Sequence, residues 1–193
     1  MVANVPRAGL SADAVVAVAL TLVDEKGLEG LSLAAVADRA GVAAPSLYKH
    51  VGSLADLRDL MALRVLRDVT ATLSTVVMGR SRDDAVAALM QAYRSYVVTH
   101  PGRYALIPFD PLRHEALAEA SGALLGVFFA VLRGYGLDES ETTHATRRLR
   151  VTAHGFADIE ANGGFGMGED VDTTFDQVVA MVLASLPRTD VTA

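Results

Sequence analysis

The chain has 193 residues, a formal net charge of −6 at pH 7, and neither cysteine nor tryptophan. With 51% hydrophobic and 21% charged residues it can fill a sizeable core, which excludes global disorder and bounds the chain at one or two compact domains. The missing cysteines exclude disulfides, thiolate zinc sites, iron–sulfur clusters and cysteine nucleophiles, and the acidic total weighs against nucleic-acid binding that rests on charge alone.

The longest uncharged apolar stretch near the N-terminus, Ala14 to Val23, lies between Asp13 and Asp24. It is far short of the ~20 residues that span a bilayer and no basic leader precedes it, so a soluble, cytoplasmic chain with no membrane partner is expected. Alternating β-branched runs are lacking, while apolar residues recur at three- and four-residue spacing, which predicts an all-α fold. Ser11 is a good N-cap for a first helix whose stripe Val15, Val16, Ala19, Leu20 and Val23 stops at Gly27. Ser32 caps a short second helix, Leu33 to Ala40, closed by Gly41; Pro45 sits in the first turn of a third that reaches about His50. Ser53 caps a long helix to about Met78, ~39 Å at 1.5 Å per residue. Ser81 starts the next, to about Thr99. Beyond the breaker His100-Pro101-Gly102, Pro111 opens a helix whose run Leu124 to Leu132 reads as buried, closed by Gly134 and Gly136. Asp138 caps a helix to about Ala161. A glycine-rich loop, Asn162 to Gly168, then leads to a last helix from Val171 to Leu186, stopped at Pro187. The expected fold is about nine helices: three short N-terminal ones, a long one, and a bundle.

Residues Leu33 to Val51 carry the clearest motif. Val36 and Ala37 face a core with Leu47, Gly41 permits a left-handed corner, and Val42 fills the inside of the turn, as a helix-turn-helix requires. The stretch LSLAAVADRAGVAAPSLYKHVGSLADL, Leu31 to Leu57, with AGV at Ala40 to Val42 and SLYKHV at Ser46 to Val51, resembles the DNA-binding module of the TetR family of transcriptional repressors. Val51 stands where phenylalanine is frequent in that family, and Leu54 where lysine is common. A weaker resemblance lies in AHGFADIEANGGF, Ala153 to Phe165, which is similar to the C-terminal subtype with a Trp-His-Gly signature; His154-Gly155 is retained and Ala153 replaces the tryptophan.

The resemblance implies a DNA-binding domain over 1–52 and a ligand-binding and dimerisation domain over 53–193. It further implies a homodimeric regulator, a ligand-responsive repressor on an inverted-repeat operator of double-stranded DNA. It assigns base reading to the turn residues and backbone contacts to Tyr48 and His50. The side chains suit those roles. Ala43, Ala44, Pro45 and Ser46 are small enough for the backbone to approach base edges, and Lys49 can pair with guanine or phosphate. The helix N-termini at Ser32 and Ser53 offer N–H groups to phosphates, and Arg7 lies in an arm suited to a minor groove. Residues 1–66 hold six Lys and Arg against seven Asp and Glu, so the acidity is concentrated in the remainder. Between Asp38 and Asp56 the only charged residues are Arg39 and Lys49, with His50 beside them.

In the remainder, Tyr93, Tyr96, Tyr104, Phe109 and Phe128 cluster along the central helices, with Arg94 and His154 as polar anchors; they are expected to line a pocket for an apolar or aromatic effector. Small residues at Thr152, Ala153, Gly155, Ala180 and Ala184 permit close helix approach. Phe175, Val178, Val179, Val182, Leu183 and Leu186 repeat at helical spacing on the last helix, and with Thr152 they are expected to form the dimer contact. The single Glu-x-x-His at Glu141 to His144 lacks the second copy that a di-iron bundle needs, and no P-loop, serine elbow or dinucleotide pattern occurs, so neither cofactor, metal nor catalysis is expected. The competing reading is a helical small-molecule-binding protein or enzyme without DNA binding, which leaves Ser46 to His50 unexplained.

Overall fold

The structure, a computed structural model, describes residues 11–112 and 114–187. Among these there is no strand, and nine α-helices follow one another with two 3₁₀ turns between them. The chain divides into two compact units. The described residues up to Val65, together with Gly102–Leu117, form the first; Leu66–Pro101 and the described residues from Ala118 onward form the second.

In the first unit, α1 (Ala12–Lys26) starts where the Ser11 side chain accepts a hydrogen bond from the Ala14 N–H (3.1 Å), and ends at Gly27. Ser32 does the same for α2 (Leu33–Ala40), accepting from the Ala35 N–H at 3.1 Å. α3 (Ala44–Leu47) is a single turn, shorter than the helix to His50 that the sequence suggests; Tyr48 to His50 continue it as turns closed by His50 N–H to the Leu47 carbonyl (2.8 Å). α4 (Leu54–Val77) gives its first half to this unit and its second half to the other. Val15, Val16, Ala19, Leu20 and Val23 of α1 are buried, as are Val36, Ala37, Leu47, Val51, Leu57 and Met61, so the apolar stripes read from the sequence are the core.

The second unit holds the rest of α4 with α5 (Arg82–Thr99), α7 (Ala118–Leu132), α8 (Glu139–Ala161) and α9 (Val171–Ala184). α8 opens with a reciprocal capping box. The Asp138 carboxylate accepts from the Glu141 N–H (2.8 Å), and the Glu141 carboxylate accepts from the Asp138 N–H (3.1 Å). α5, α8 and α9 are clasped by Arg94. Its guanidinium forks onto Glu160 (2.5 and 2.6 Å), reaches Asp172 at 2.7 Å, and lies over the rings of Phe175 and Phe156, 4.9 and 5.5 Å from their centroids. The hydrogen bonds that Arg94 donates to the Glu160 carboxylate raise its pKa, so the cation is fixed in its charged form.

Two expectations are corrected here. Pro111 does not open a helix: residues 111–112 and 115–117 are turns and His114 a bend, with Leu117 buried, and α7 begins only at Ala118. Within the breaker His100 to Gly102 only His100 interrupts the helices: Pro101 opens a one-turn helix, α6 (Pro101–Tyr104). No single helix among the described residues is long and apolar enough to cross a membrane.

Candidate nucleic-acid interface

The helix-turn-helix is built from backbone geometry first. Gly41 adopts φ +68°, ψ +31°, a left-handed conformation that a side chain disfavours. Its N–H donates to the Asp38 carbonyl (3.2 Å) and the Val42 N–H donates to the Ala37 carbonyl (3.1 Å), so two carbonyls left open at the end of α2 are satisfied and the chain is turned into α3. Leu47 is fully buried and α3 packs on α2. That packing leaves the opposite side of α3 outward: Ala43, Ala44, Pro45, Tyr48 and Lys49 are exposed, and Ser46 and His50 are half-exposed. Tyr48 has 59% of its surface open. The small residues stand at the start of α3 and the polar ones beyond, the order in which a recognition helix meets base edges and backbone.

Charge at this tip comes from fewer groups than the sequence suggests. Arg39 is spent within the protein, forking onto Glu25 of α1 at 2.5 and 2.6 Å. Among the described residues Lys49 and His50 have no ion-pair partner, so Lys49 is a cation available to a phosphate or a guanine. The hydroxyl oxygens of Ser32 and Ser53 accept from the Ala35 and Asp56 N–H groups (3.1 and 3.0 Å), which leaves each hydroxyl hydrogen to donate outward. Asp56, in the first turn of α4, makes the Ser53 end the poorer of the two for an anion. Arg7 lies outside the described residues.

Sequence reasoning missed one component of this unit. Residues 102–117, which follow α5 and precede α7, lie against the reader. Arg103 forks onto Asp24 of α1 (2.8 and 2.5 Å), and His114 Nε2 lies 3.4 Å from Asp59 of α4. Gly102 packs so closely on α1 that a Cβ there would lie 2.9 Å from a Val23 methyl. Nothing local announces this, because Asp24 and Arg103 are 79 residues apart.

The other predicted sites are distributed as follows. Tyr93 and Phe128 meet edge-to-face at 6.3 Å, buried in the second unit. Tyr96 stands against His100 (5.2 Å) and borders an open groove of about 740 Å³ between α4 and α5, with Thr72, Gln91, Ser95 and Thr99 on its walls. Tyr104 and Phe109 belong to the first unit, Phe109 with 92% of its surface exposed. Arg94 is engaged by Glu160 and Asp172. His154 is half-exposed on α8. Four of the positions expected at a dimer contact are instead the protomer's own core: Phe175, Val179, Val182 and Leu186 are buried, Phe175 against Phe156 at 4.8 Å. The apolar stripe of α9 is consumed by its own bundle. Val178, Leu183 and Thr152 are half-exposed.

A buried three-helix reader presenting a small, polar, cationic tip defines a DNA-binding protein of the helix-turn-helix class. Comparison with known proteins gives the family. The family described as "Bacterial regulatory proteins, tetR family" matches residues 15–59, and "Tetracyclin repressor-like, C-terminal domain" matches residues 86–182. The chain is 39% identical over 186 residues to the HTH-type transcriptional regulator Rv0681 of Mycobacterium tuberculosis, covering 94% of this chain and 84% of that one. It is 33% identical over 168 residues to the HTH-type transcriptional regulator YobS of Bacillus subtilis, covering 86% and 87%. Among solved structures, a protein of unknown function from Rhodococcus sp. RHA1 superposes with a TM-score of 0.82 at 23% identity, over 96% of this chain and 100% of that one. The chain belongs to the TetR family of bacterial transcriptional regulators: it is a DNA-binding regulator and not an enzyme.

Proposed function

We propose that the protein is a cytoplasmic, effector-responsive repressor that binds an inverted-repeat operator as a homodimer. The observation that carries the reading is the outward tip of Ala43 to Ser46, Tyr48 and Lys49 on a unit whose apolar core encloses Leu47. In this reading 1–52 is the DNA-binding domain and 53–193 the effector and dimer domain, of the Trp-His-Gly subtype through His154-Gly155. Ala43 to Ser46 read bases, Lys49 pairs with a guanine or a phosphate, and Ser32, Tyr48, His50 and Ser53 hold the backbone, with Arg7 as an added arm. The dimer forms through α8 and α9, on the side their own cores leave open. Val151 of α8 is 71% and Met181 of α9 is 61% exposed, and Gly155, Ala180 and Ala184 allow close approach. A compact apolar or aromatic molecule is the effector; the Tyr93–Phe128 layer and the groove beside Tyr96 and His100 support this class. Its binding shifts a conformational equilibrium that sets the distance between the two readers. Residues 102–117, held on α1 and α4 while their flanking residues Pro101 and Ala118 belong to the second unit, are the means by which that shift reaches the reader.

Selection of bound duplexes from a random pool tests this. The expected product is an inverted repeat with half-site centres ~34–36 Å apart, repressing a reporter when placed across its promoter. A pool that shows no sequence enrichment would overturn DNA recognition, and enrichment of a single half-site would overturn the dimer.

A further inference from the structure

Resting on the proposed dimer, we infer that its two α8 helices pair antiparallel about a two-fold axis level with position 153, so that Arg148 of each chain meets Asp158 of the other. The α8 side chains that fill the protomer's own core are Ala145, Thr146, Leu149, Ala153, Phe156 and Ala157. At 3.6 residues per turn, the opposite side of the helix carries His144, Arg148, Val151, Gly155, Asp158 and Asn162 within an arc of about 80°. All six are exposed or half-exposed.

The pattern of this stripe is self-complementary. Its spacing of four, three, four, three and four residues reads the same in both directions. Turning the helix end for end about position 153 therefore lays Arg148 on Asp158, Val151 on Gly155, and His144 on Asn162. A two-fold axis makes each of these contacts twice, which sets cation against carboxylate and a branched apolar side chain against a residue with none. The ion pairs stand about 15 Å apart along the helix and bracket the Val151–Gly155 contacts.

Three further observations point to a second copy as the occupant. Among the described residues neither Arg148 nor Asp158 has an ion-pair partner: Arg148 reaches the Ser185 carbonyl and Asp158 the Asn162 amide, each at 3.5 Å. A Cβ placed on Gly155 would meet nothing within 4 Å, so nothing inside the protomer calls for a glycine there. Val151, the most open large apolar side chain of α8, stands one turn away on the same stripe.

The test is a charge exchange read by sedimentation equilibrium of the full chain, with circular dichroism to confirm that each variant is folded. Arg148→Asp and Asp158→Arg each replace two attractions with two repulsions and are expected to raise the dimer dissociation constant at least about tenfold. The double variant Arg148→Asp/Asp158→Arg restores it. Gly155→Leu, whose Cβ meets nothing inside the protomer, is expected to weaken the dimer with no loss of fold. Single variants that associate like the parent chain, or a double variant no better than the singles, overturn the register while leaving a dimer in place. A parent chain that sediments as a monomer at micromolar concentration removes the dimer itself.

Discussion

Leu47 and Lys49 are two positions apart in the reader and face opposite environments, so their substitution separates folding from recognition. Leu47 is wholly enclosed, and truncation to alanine leaves a cavity under α3 that costs ~2–5 kcal/mol of stability. Lys49 is exposed and has no ion-pair partner among the described residues, so Lys49→Ala is expected to leave the melting temperature unchanged. Operator affinity, by contrast, is expected to fall by ~1–3 kcal/mol if the lysine reads a base, and the salt dependence to flatten by about one released counterion. Titrations of the selected duplex at two salt concentrations check both effects. Arg39 sits in the same stretch but is held by Glu25, and it is expected to act on the α1–α2 packing rather than on DNA.

The N-terminus of α9 shows how one residue governs an element. The Asp170 carboxylate accepts from the Thr173 hydroxyl (2.6 Å) and the Thr173 N–H (2.9 Å), and the hydroxyl bond foremost holds its pKa below the ordinary carboxylate value. A group whose pKa is lowered on folding stabilises the fold above its unfolded pKa, about 4, and loses that contribution as pH falls through the folded value. Asp170→Ala is therefore expected to destabilise α9 at neutral pH, and its deficit against the parent chain to close as pH drops below about 4. Amide exchange across α9 over that range measures it. A deficit that stays constant with pH would show that the cap acts through geometry alone.

For the molecule as a whole, α9 has two sides with different duties. Val179→Asp places a charge in the protomer's core, at a cost of several kcal/mol, and is expected to unfold the second unit. Met181→Asp sits on the open side and is expected to leave each protomer folded while splitting the dimer, with specific operator binding lost because one reader makes half the contacts. Circular dichroism and sedimentation of the two variants distinguish these outcomes. A Met181→Asp chain that stays dimeric would move the interface elsewhere on the second unit.

Local chemistry determined a large part of this molecule. Serine and aspartate caps, glycine stops and apolar spacing within one helix act over a few residues, so the starts of α1, α2 and α8, the corner at Gly41 and the core of the reader were all legible in the chain. So was the tip of the reader, because Leu47 fixes which side of α3 turns inward. What no local pattern encodes is which surface takes up an apolar stripe. Phe175, Val179, Val182 and Leu186 have the same spacing whether they meet their own bundle or a second chain, and the fold gave them to the bundle. Charges at long separation behave alike: Arg94 met Glu160 and Asp172, and Arg103 met Asp24, because the helices carrying them were brought together by burial elsewhere. Tertiary packing thus placed Tyr104 and Phe109 in the reader's unit and Tyr93 and Phe128 in the other, for contacts between distant segments are decided by how whole faces fit.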